Sequence, residues 1–475
     1  MKNEKLIFTA SGIRGVVGKT LTLDKAKQIA NAFGLWLKEK KVIIGRDTRP
    51  SGESLKNAMI DGLRDAGCKI QDVNVCPTPA IIYTKNLHNI KGGIIISGSH
   101  NPPEWNGIKL LSDMTFLSGS DLAEITESLE SIENEKDTTT QKSVNKPRNV
   151  QEINTIEEYK KGLLDFFNVE KIKNKNYLRI GLDTGAGAGK YLTPDILEKL
   201  GCQVILINND FTENGKFPRE IEPIEKNLQD LIELVKEENL DVGFAHDCDA
   251  DRIAIIGNDG TCYPQDIGLA LITEYYLKQF QKESQSVKFI TNLASSLCFE
   301  ALAQKYNAEI IRTPVGERHL AEKMHKLLEK DATHCIFGGE GSCGGVMVPT
   351  FNNARDGIFA AAQIVEILVN TGEKISTLVQ KLPKYYSFRK NLDYGNIQIK
   401  ELIKKIQRKL EKQYDNIRRV DNDLRFGEGD QWFVLIHPSN TEPIVRIITE
   451  AKNKEKAKKT CNKIANIVLN MIENA

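Results

Sequence analysis

IIISGSHNPPEWNGIK, residues Ile94 to Lys109, reads as a buried strand running straight into a loop of small and polar residues. Three consecutive isoleucines lead to Ser99, His100 and Asn101. A Pro102–Pro103 pair then stiffens the turn, and Asn106-Gly107-Ile108-Lys109 follows. A hydroxyl, an imidazole, an amide and an ammonium thus stand on one rigid turn at a strand end. A nucleophilic or phosphate-carrying serine needs this setting: exposure, and neighbours that handle charge. An ordinary serine-rich loop looks similar in isolation, so the rest of the chain decides.

The same strand-into-loop pattern closes two more segments, and the repetition sets the fold class. The first cycle runs VIIGRDTRPSGESLKNAM from Val42, then AGCKIQDVNVCPTP, then GGIIISGSHNP. The second runs LRIGLDTGAGAGKYLTPDIL from Leu178, then LGCQVILINND, then LDVGFAHDCDADR. The third runs VKFITNLASSLCFEAL from Val287, then YNAEIIRTPVGE, then THCIFGGEGSCGG. Each cycle opens with a strand, a loop and an amphipathic helix, and closes with a strand ending in Gly and polar residues. Alternating strands and helices predict α/β units with mixed, mostly parallel sheets. Ligands of such sheets sit beyond the carboxyl ends of strands, so the three closing loops are expected to face one cleft.

With 475 residues the chain exceeds a single core. We expect four domains: 1–150 carrying the serine loop, 151–256, 257–380, and a small α+β domain at 381–475. Polar, aperiodic Glu133–Glu152 reads as a boundary or surface excursion, and Lys381–Leu392 separates the last domain. Basic and acidic residues balance at 65 and 64, so composition gives no nucleic-acid footprint. Mean hydropathy is negative and the apolar runs are strand-length, which predicts no membrane span. The start MKNEKLIFTASGIRG shows no signal-peptide pattern. Nine scattered cysteines without a C-x-x-C pair predict reduced thiols in a cytoplasm, not a disulfide frame or zinc site.

Four further motifs carry chemistry. Asp247-Cys248-Asp249-Ala250-Asp251-Arg252 follows the strand DVGFAH. Three carboxylates at alternate positions need a cation, and hard oxygen ligands suit Mg²⁺. A calcium loop of the EF-hand kind fails, because Arg252 replaces the required Gly and Asn258 the required Glu. A solvated acidic turn fits poorly after a buried strand. Gly338–Gly345 (GGEGSCGG) offers Glu340 and Ser342 to hydroxyls of a ligand, although a tight turn would read the same. Pro438-Ser439-Asn440-Thr441-Glu442-Pro443 is a rigid loop suited to phosphate, with Arg446 three residues on. Arginines stand among glycines at Thr9–Gly15 and Gly45–Gly52, where Arg46 and Arg49 read as structural partners of carboxylates such as Asp47. Gly185–Lys190 (GAGAGK) mimics a phosphate loop, but its glycine spacing is wrong and Tyr191 replaces the needed Ser/Thr.

Serine loop, triple-aspartate loop, Gly-Glu-Gly-Ser loop and Ser-Asn-Thr loop occur in that order, one per expected domain. In this the chain resembles the α-D-phosphohexomutase superfamily along essentially its whole length. The resemblance implies four domains around a central cleft, the first three related to one another. It implies that Ser99 is a phosphoserine, and that Asp247, Asp249 and Asp251 bind Mg²⁺ with a phosphate oxygen on Ser99. Arg14, His100, Lys109 and Arg252 would line the reaction centre, with His100 and Lys109 the candidates for acid–base work. Glu340 and Ser342 would select the sugar, while Ser439, Asn440 and Thr441 would hold the non-reacting phosphate. The implied reaction moves phosphate between O6 and O1 of a hexose phosphate through a 1,6-bisphosphate.

Two departures stand out. Many members read Gly-Glu-x-Ser-Gly-His, whereas here Cys343-Gly344-Gly345 follows Ser342 without a histidine. Many begin the phosphate loop with Arg, whereas here His437 stands in that place. The stretches SGIRGVVG and RTPVGER (Arg312–Arg318) look more like phosphoglucosamine mutases and their archaeal-type relatives than like the Tyr-Asp-Ile-Arg-Gly phosphomannomutases. Glucosamine phosphate is therefore the expected substrate, with relaxed glucose/mannose phosphate use as the runner-up. A non-catalytic sugar-phosphate-binding paralogue is the alternative from another class.

Overall fold

A computed structural model describes residues 6–9, 12–113, 116–135, 150–175, 177–283, 286–330, 335–439 and 443–474, with backbone alone for 130–135. The chain divides into two compact units, Met1–Gly268 with Gly344–Thr377, and Leu269–Cys343 with Leu378–Ala475.

In the first unit, apolar strands with both faces covered build two sheets. One contains β1 (Ile7–Thr9), β2 (Gly12–Val16), β3 (Lys41–Arg46), β4 (Lys69–Val75), β5 (Gly92–Ile96), β6 (Trp105–Leu111) and β7 (Val150–Glu152). Its order is β1-β2-β6-β5-β3-β4-β7. The other contains β8 (Arg179–Asp183), β9 (Gln203–Ile207), β10 (Val242–Ala245) and β11 (Ala254–Gly257), in the order β11-β10-β8-β9. β5 is buried at every position, as a strand sandwiched between helix layers must be. The helix Leu23–Trp36 starts where the Thr22 hydroxyl accepts from Lys25 N, and it buries Ala26, Ile29, Ala30 and Phe33 at helical spacing. It lies so close to the helix Gly52–Asp65 that a Cβ on Gly62 would sit 2.1 Å from Lys27 O. Of the polar stretch read as a boundary, Glu133–Glu135 end the helix Gly119–Glu135 and Val150–Glu152 return as an edge strand parallel to Ile70–Asp72; 136–149 lie outside the described residues.

The second unit holds the third cycle. β12 (Val287–Asn292) pairs in parallel with β13 (Glu309–Thr313) and with β14 (Cys335–Glu340). The three cycles therefore share one strand order: β5-β3-β4, β10-β8-β9 and β14-β12-β13, all parallel. The triplication read from sequence is a topological repeat. After β15 (Gly345–Met347), which lies in the first unit, the remaining strands are β16 (Tyr386–Asp393), β17 (Arg418–Val420), β18 (Asp423–Glu428), β19 (Trp432–Pro438) and β20 (Ile444–Ala451). They form an antiparallel sheet, β16-β20-β19-β18-β17, which makes the small α+β part. Leu402, Ile403, Ile406 and Leu410 of one helix and Ile464 and Val468 of another pack on its inward residues Leu424, Phe426, Val434, Ile436, Val445 and Ile447. Among the described residues no helix is long and apolar enough to cross a membrane.

Candidate active site

The serine loop hangs from β5 and is tied in place from inside. Asp47, at the end of β3, accepts from Ser97 Oγ at 2.7 Å, and Ser97 Oγ accepts from Ser99 N at 2.9 Å. Arg49 is fully buried. Its Nε donates to Asp47, Nη1 to the carbonyls of Pro102 (2.7 Å) and Trp105 (3.0 Å), and Nη2 to those of Ser99 (2.9 Å) and Asn101 (2.6 Å). A Cβ on Gly98 would lie 2.7 Å from that guanidinium. Held this way, Ser99 adopts φ 48°, the left-handed region that non-glycine residues avoid and that clusters at functional sites. Arg49 thus does what the sequence suggested, a structural task.

β2 and β6 bring two cations to the same sheet face. Arg14 lies opposite Gly107, and Lys109 is two residues further along β6, so strand alternation points both the same way. Arg14 Nη1 donates to Asn101 Oδ1 at 2.6 Å, which braces the loop tip.

The aspartate loop follows β10 and meets the serine loop directly. Ser99 Oγ donates to Asp247 Oδ2 at 2.7 Å. Ala250, at φ 55°, turns the chain between the last two aspartates. Asp249 Oδ2 accepts from Thr78 Oγ1 and Lys109 Nζ, both at 2.6 Å. Asp251 Oδ2 accepts from Arg355 Nη2 at 2.5 Å and from Lys109 Nζ at 3.3 Å. Arg252 Nε stands 3.8 Å from Asp247 and 3.7 Å from Asp251. His246 is buried; its Nδ1 donates to the Arg252 carbonyl at 2.9 Å and fixes the loop's end.

The electrostatics follow from burial. Burial, and then the charges of Asp251 and Asp249, push Asp247 well above the ordinary carboxylate range. Burial acts the same way on Asp251, but Arg355, Lys109 and Arg252 outweigh it and hold that carboxyl below the range. Burial and the neighbouring Arg252 lower Arg14 to about 10. His100, whose Nδ1 is 3.4 Å from Ser99 Oγ, is lowered to about 2 by Arg252, burial and Arg14. An imidazole among guanidiniums stays neutral.

Ligand atoms of Asp247, Asp249 and Asp251 lie within 4.8 Å of one another. On each residue Oδ1 is buried and makes no hydrogen bond. Three converging carboxylates, each with a buried oxygen left without a partner, are costly without a cation, and an all-oxygen donor set fits a hard divalent ion.

The remaining expected site residues lie in the second unit. Glu340 ends β14, and its Oε1 accepts from Asn292 Nδ2 at 2.9 Å and Gly316 N at 2.7 Å, which fixes the carboxylate. Ser342 is half-buried on the short 3-10 turn Gly341–Cys343. Ser439 N donates to Ile444 O at 2.8 Å across the mouth of the β19–β20 hairpin. Asn440 and Thr441 lie outside the described residues. His437 is paired with Asp423 at 2.7 Å, and its cross-strand partner is Arg446, whose Nη2 is 3.4 Å from Ser439 Oγ. A guanidinium therefore reaches the loop from the neighbouring strand. At the other departure, Gly344 has φ 72°, and a Cβ there would lie 2.3 Å from Ile253 O. No side chain fits at that position. Arg355, which no motif flagged, is the functional candidate missed by sequence reading; a single arginine in FNNARDG carries no signal of its own.

Comparison with known proteins accounts for this arrangement. Three models match: phosphoglucomutase/phosphomannomutase alpha/beta/alpha domain I over residues 5–136, domain II over 157–260 and domain III over 264–386. A phosphoglucomutase/phosphomannomutase of Thermococcus kodakarensis is 36% identical over 95% of this chain and 96% of its own length. A protein of the same organism named "Probable phosphoglucosamine mutase" is 34% identical over 98% of this chain and 99% of its own. The crystal structure of a phosphoglucomutase/phosphomannomutase family protein from Burkholderia thailandensis superposes with a TM-score of 0.80 at 26% identity, covering 98% of this chain and 97% of that one. The chain belongs to the phosphoglucomutase/phosphomannomutase family of α-D-phosphohexomutases, and it is an isomerase of the phosphohexomutase kind.

Proposed function

We propose that the protein moves phosphate between O6 and O1 of a hexose phosphate, with Ser99 as the phosphate carrier and glucosamine phosphate as the sugar. One observation carries the mechanism. The Ser99 hydroxyl sits on a strained turn 2.7 Å from Asp247, beside three aspartates that each keep a buried oxygen without a partner. The glucosamine assignment is supported by the 34% identical relative that bears that name. The 36% identical relative named phosphoglucomutase/phosphomannomutase supports glucose and mannose phosphates as the second reading.

Phosphoserine 99 gives its phosphoryl group to the free hydroxyl of the sugar phosphate. The Ser99 O–P bond breaks, a new P–O bond forms, and a sugar 1,6-bisphosphate results. After the bisphosphate turns over, its other phosphoryl group returns to Ser99. His100, 3.4 Å from the Ser99 oxygen, is the candidate to take the hydroxyl proton and later return it, once bound phosphate offsets the guanidiniums that keep the free imidazole neutral. Lys109 is ion-paired to two carboxylates and acts as counter-charge. Arg14 and Arg252 face the charge that spreads over the transferring oxygens. Mg²⁺ held by Asp247, Asp249 and Asp251 would supply further stabilisation of that charge. Glu340 and Ser342 contact sugar hydroxyls, and Ser439, Asn440 and Thr441, with Arg446 as the cation, hold the second phosphate.

We assign these tasks to four parts, 1–150, 151–256, 257–380 and 381–475. We place the reaction in the cytoplasm, in keeping with nine cysteines that form no disulfide.

The test is ³¹P NMR of the purified protein with Mg²⁺ and catalytic sugar 1,6-bisphosphate, offered glucosamine, glucose and mannose 6-phosphates in turn. A 1-phosphate resonance that is lost in Ser99→Ala is the expected result, fastest with glucosamine. Turnover that survives in Ser99→Ala would rule out the phosphoserine route.

A further inference from the structure

Arg355 comes from a distant part of the chain, yet it makes the shortest contact to the third aspartate. Its Nη2 lies 2.5 Å from Asp251 Oδ2, and neither side chain is more than 8% exposed. The segment around it is docked onto the aspartate loop. Gly357 N donates to Ala250 O at 3.1 Å, and a Cβ on Gly357 would lie 2.3 Å from Arg252 O. Asp356 N donates to Val346 O at 2.9 Å, while the Asp356 carboxylate caps the helix Gly357–Thr371 and accepts from Tyr159 Oη. Gly345 leaves the room that Arg355 occupies, since a Cβ there would stand 2.4 Å from Arg355 Cδ. The second glycine of the Cys343-Gly344-Gly345 run is thus accounted for by the path of Arg355.

We propose that Arg355 is a positioning residue of the cation site: by holding Asp251 through Oδ2, it presents Oδ1 to the metal. The inference rests on the reading of the three aspartates as metal ligands. Lys109 already supplies a positive charge to Asp251, at 3.3 Å, and to Asp249, at 2.6 Å. What Arg355 adds is a planar guanidinium at a fixed angle, which an ammonium does not reproduce. Groups that orient ligating carboxylates in this way typically alter metal affinity by about 10- to 100-fold when removed.

The experiment is Mn²⁺ binding to the unphosphorylated full-length protein without sugar, read by the EPR signal of free Mn²⁺. It compares the parent with Arg355→Met and Arg355→Lys, with urea unfolding of each alongside. Coulomb's law alone predicts that deleting a cation tightens binding of another, so a weaker site in Arg355→Met reports lost orientation. The expected result is Mn²⁺ binding about 10- to 100-fold weaker in Arg355→Met. Arg355→Lys should regain the parent's urea midpoint without regaining its affinity. In turnover assays kcat should fall while KM for the hexose phosphate stays within about twofold. Unchanged or tighter Mn²⁺ binding in either variant, with the parent binding normally, overturns the inference and leaves the metal reading intact. A parent that binds no Mn²⁺ overturns both. If Arg355→Met does not fold, the affinity of Arg355→Lys decides.

Discussion

Arg49 donates to four carbonyls of the serine loop and to one carboxylate, with no surface exposed. The loop's shape, and with it the left-handed φ of Ser99, depends on that one side chain. Removing it leaves Asp47 buried without its cation and frees the carbonyls. Arg49→Met is expected to cost about 3–5 kcal/mol of stability, measured by urea unfolding. A loss below about 1 kcal/mol, the size of an ordinary surface pair, would show that Ser97 and Asp47 hold the loop by themselves. At this scale the sequence was informative wherever a residue type stood in a motif. Ser99 and the three aspartates announced themselves by spacing, and Arg49 by its glycine-rich surroundings. Gly344 was legible only as a missing histidine. That its backbone is left-handed and pressed against Ile253 is a fact of packing, which no single sequence position encodes.

At the scale of elements, the helix Gly357–Thr371 begins on a carboxylate that is wholly buried. Asp356 accepts from Phe359 N, Tyr159 Oη and Asn352 Nδ2. Burial outweighs these bonds and raises the carboxyl from its ordinary value near 3.8 to about 6. A carboxyl whose folded pKa lies above its unfolded one favours the fold when protonated. Its contribution is therefore complete below about pH 4 and is lost as pH rises through about 6, a change on the order of 3 kcal/mol. Asp356→Asn keeps a capping oxygen and cannot ionise. It should flatten stability between pH 4 and 6, as measured by urea unfolding across that range. A slope unchanged from the parent's would mean that another group is responsible. The elements themselves were legible, because strands buried on both faces read as apolar runs and the cycle repeats three times. The return of Val150–Glu152 as an edge strand was not, since three residues in a polar stretch carry no period.

For the whole molecule, a cation held by the three aspartates would link ligand binding to folding of the first unit. An ion that binds only the folded state adds about 2.7 kcal/mol at a hundredfold excess over its Kd. Mg²⁺ should therefore raise the urea midpoint of the parent, and Asp249→Asn should remove that gain. An equal gain in the variant would place the ion elsewhere. Which distant segments complete this site was not legible beforehand, because motif order runs along the chain while the site is closed by a return of the chain. Arg355 lies 104 residues after Asp251, and Tyr159 is bonded to Asp356 across 197 residues.

That return has a consequence in time. During synthesis the aspartate loop leaves the ribosome well before its guanidinium partner, and residues Leu269–Cys343 of the other unit are made in between. At about 5–20 residues per second, the wait for Arg355 is about 5–20 s. Through that interval the nascent chain carries an acidic loop with one of its counter-charges still untranslated. The first unit can close only after part of the second has been made, so its aspartate loop is completed late, while residues 378–475 of the second unit are still to come.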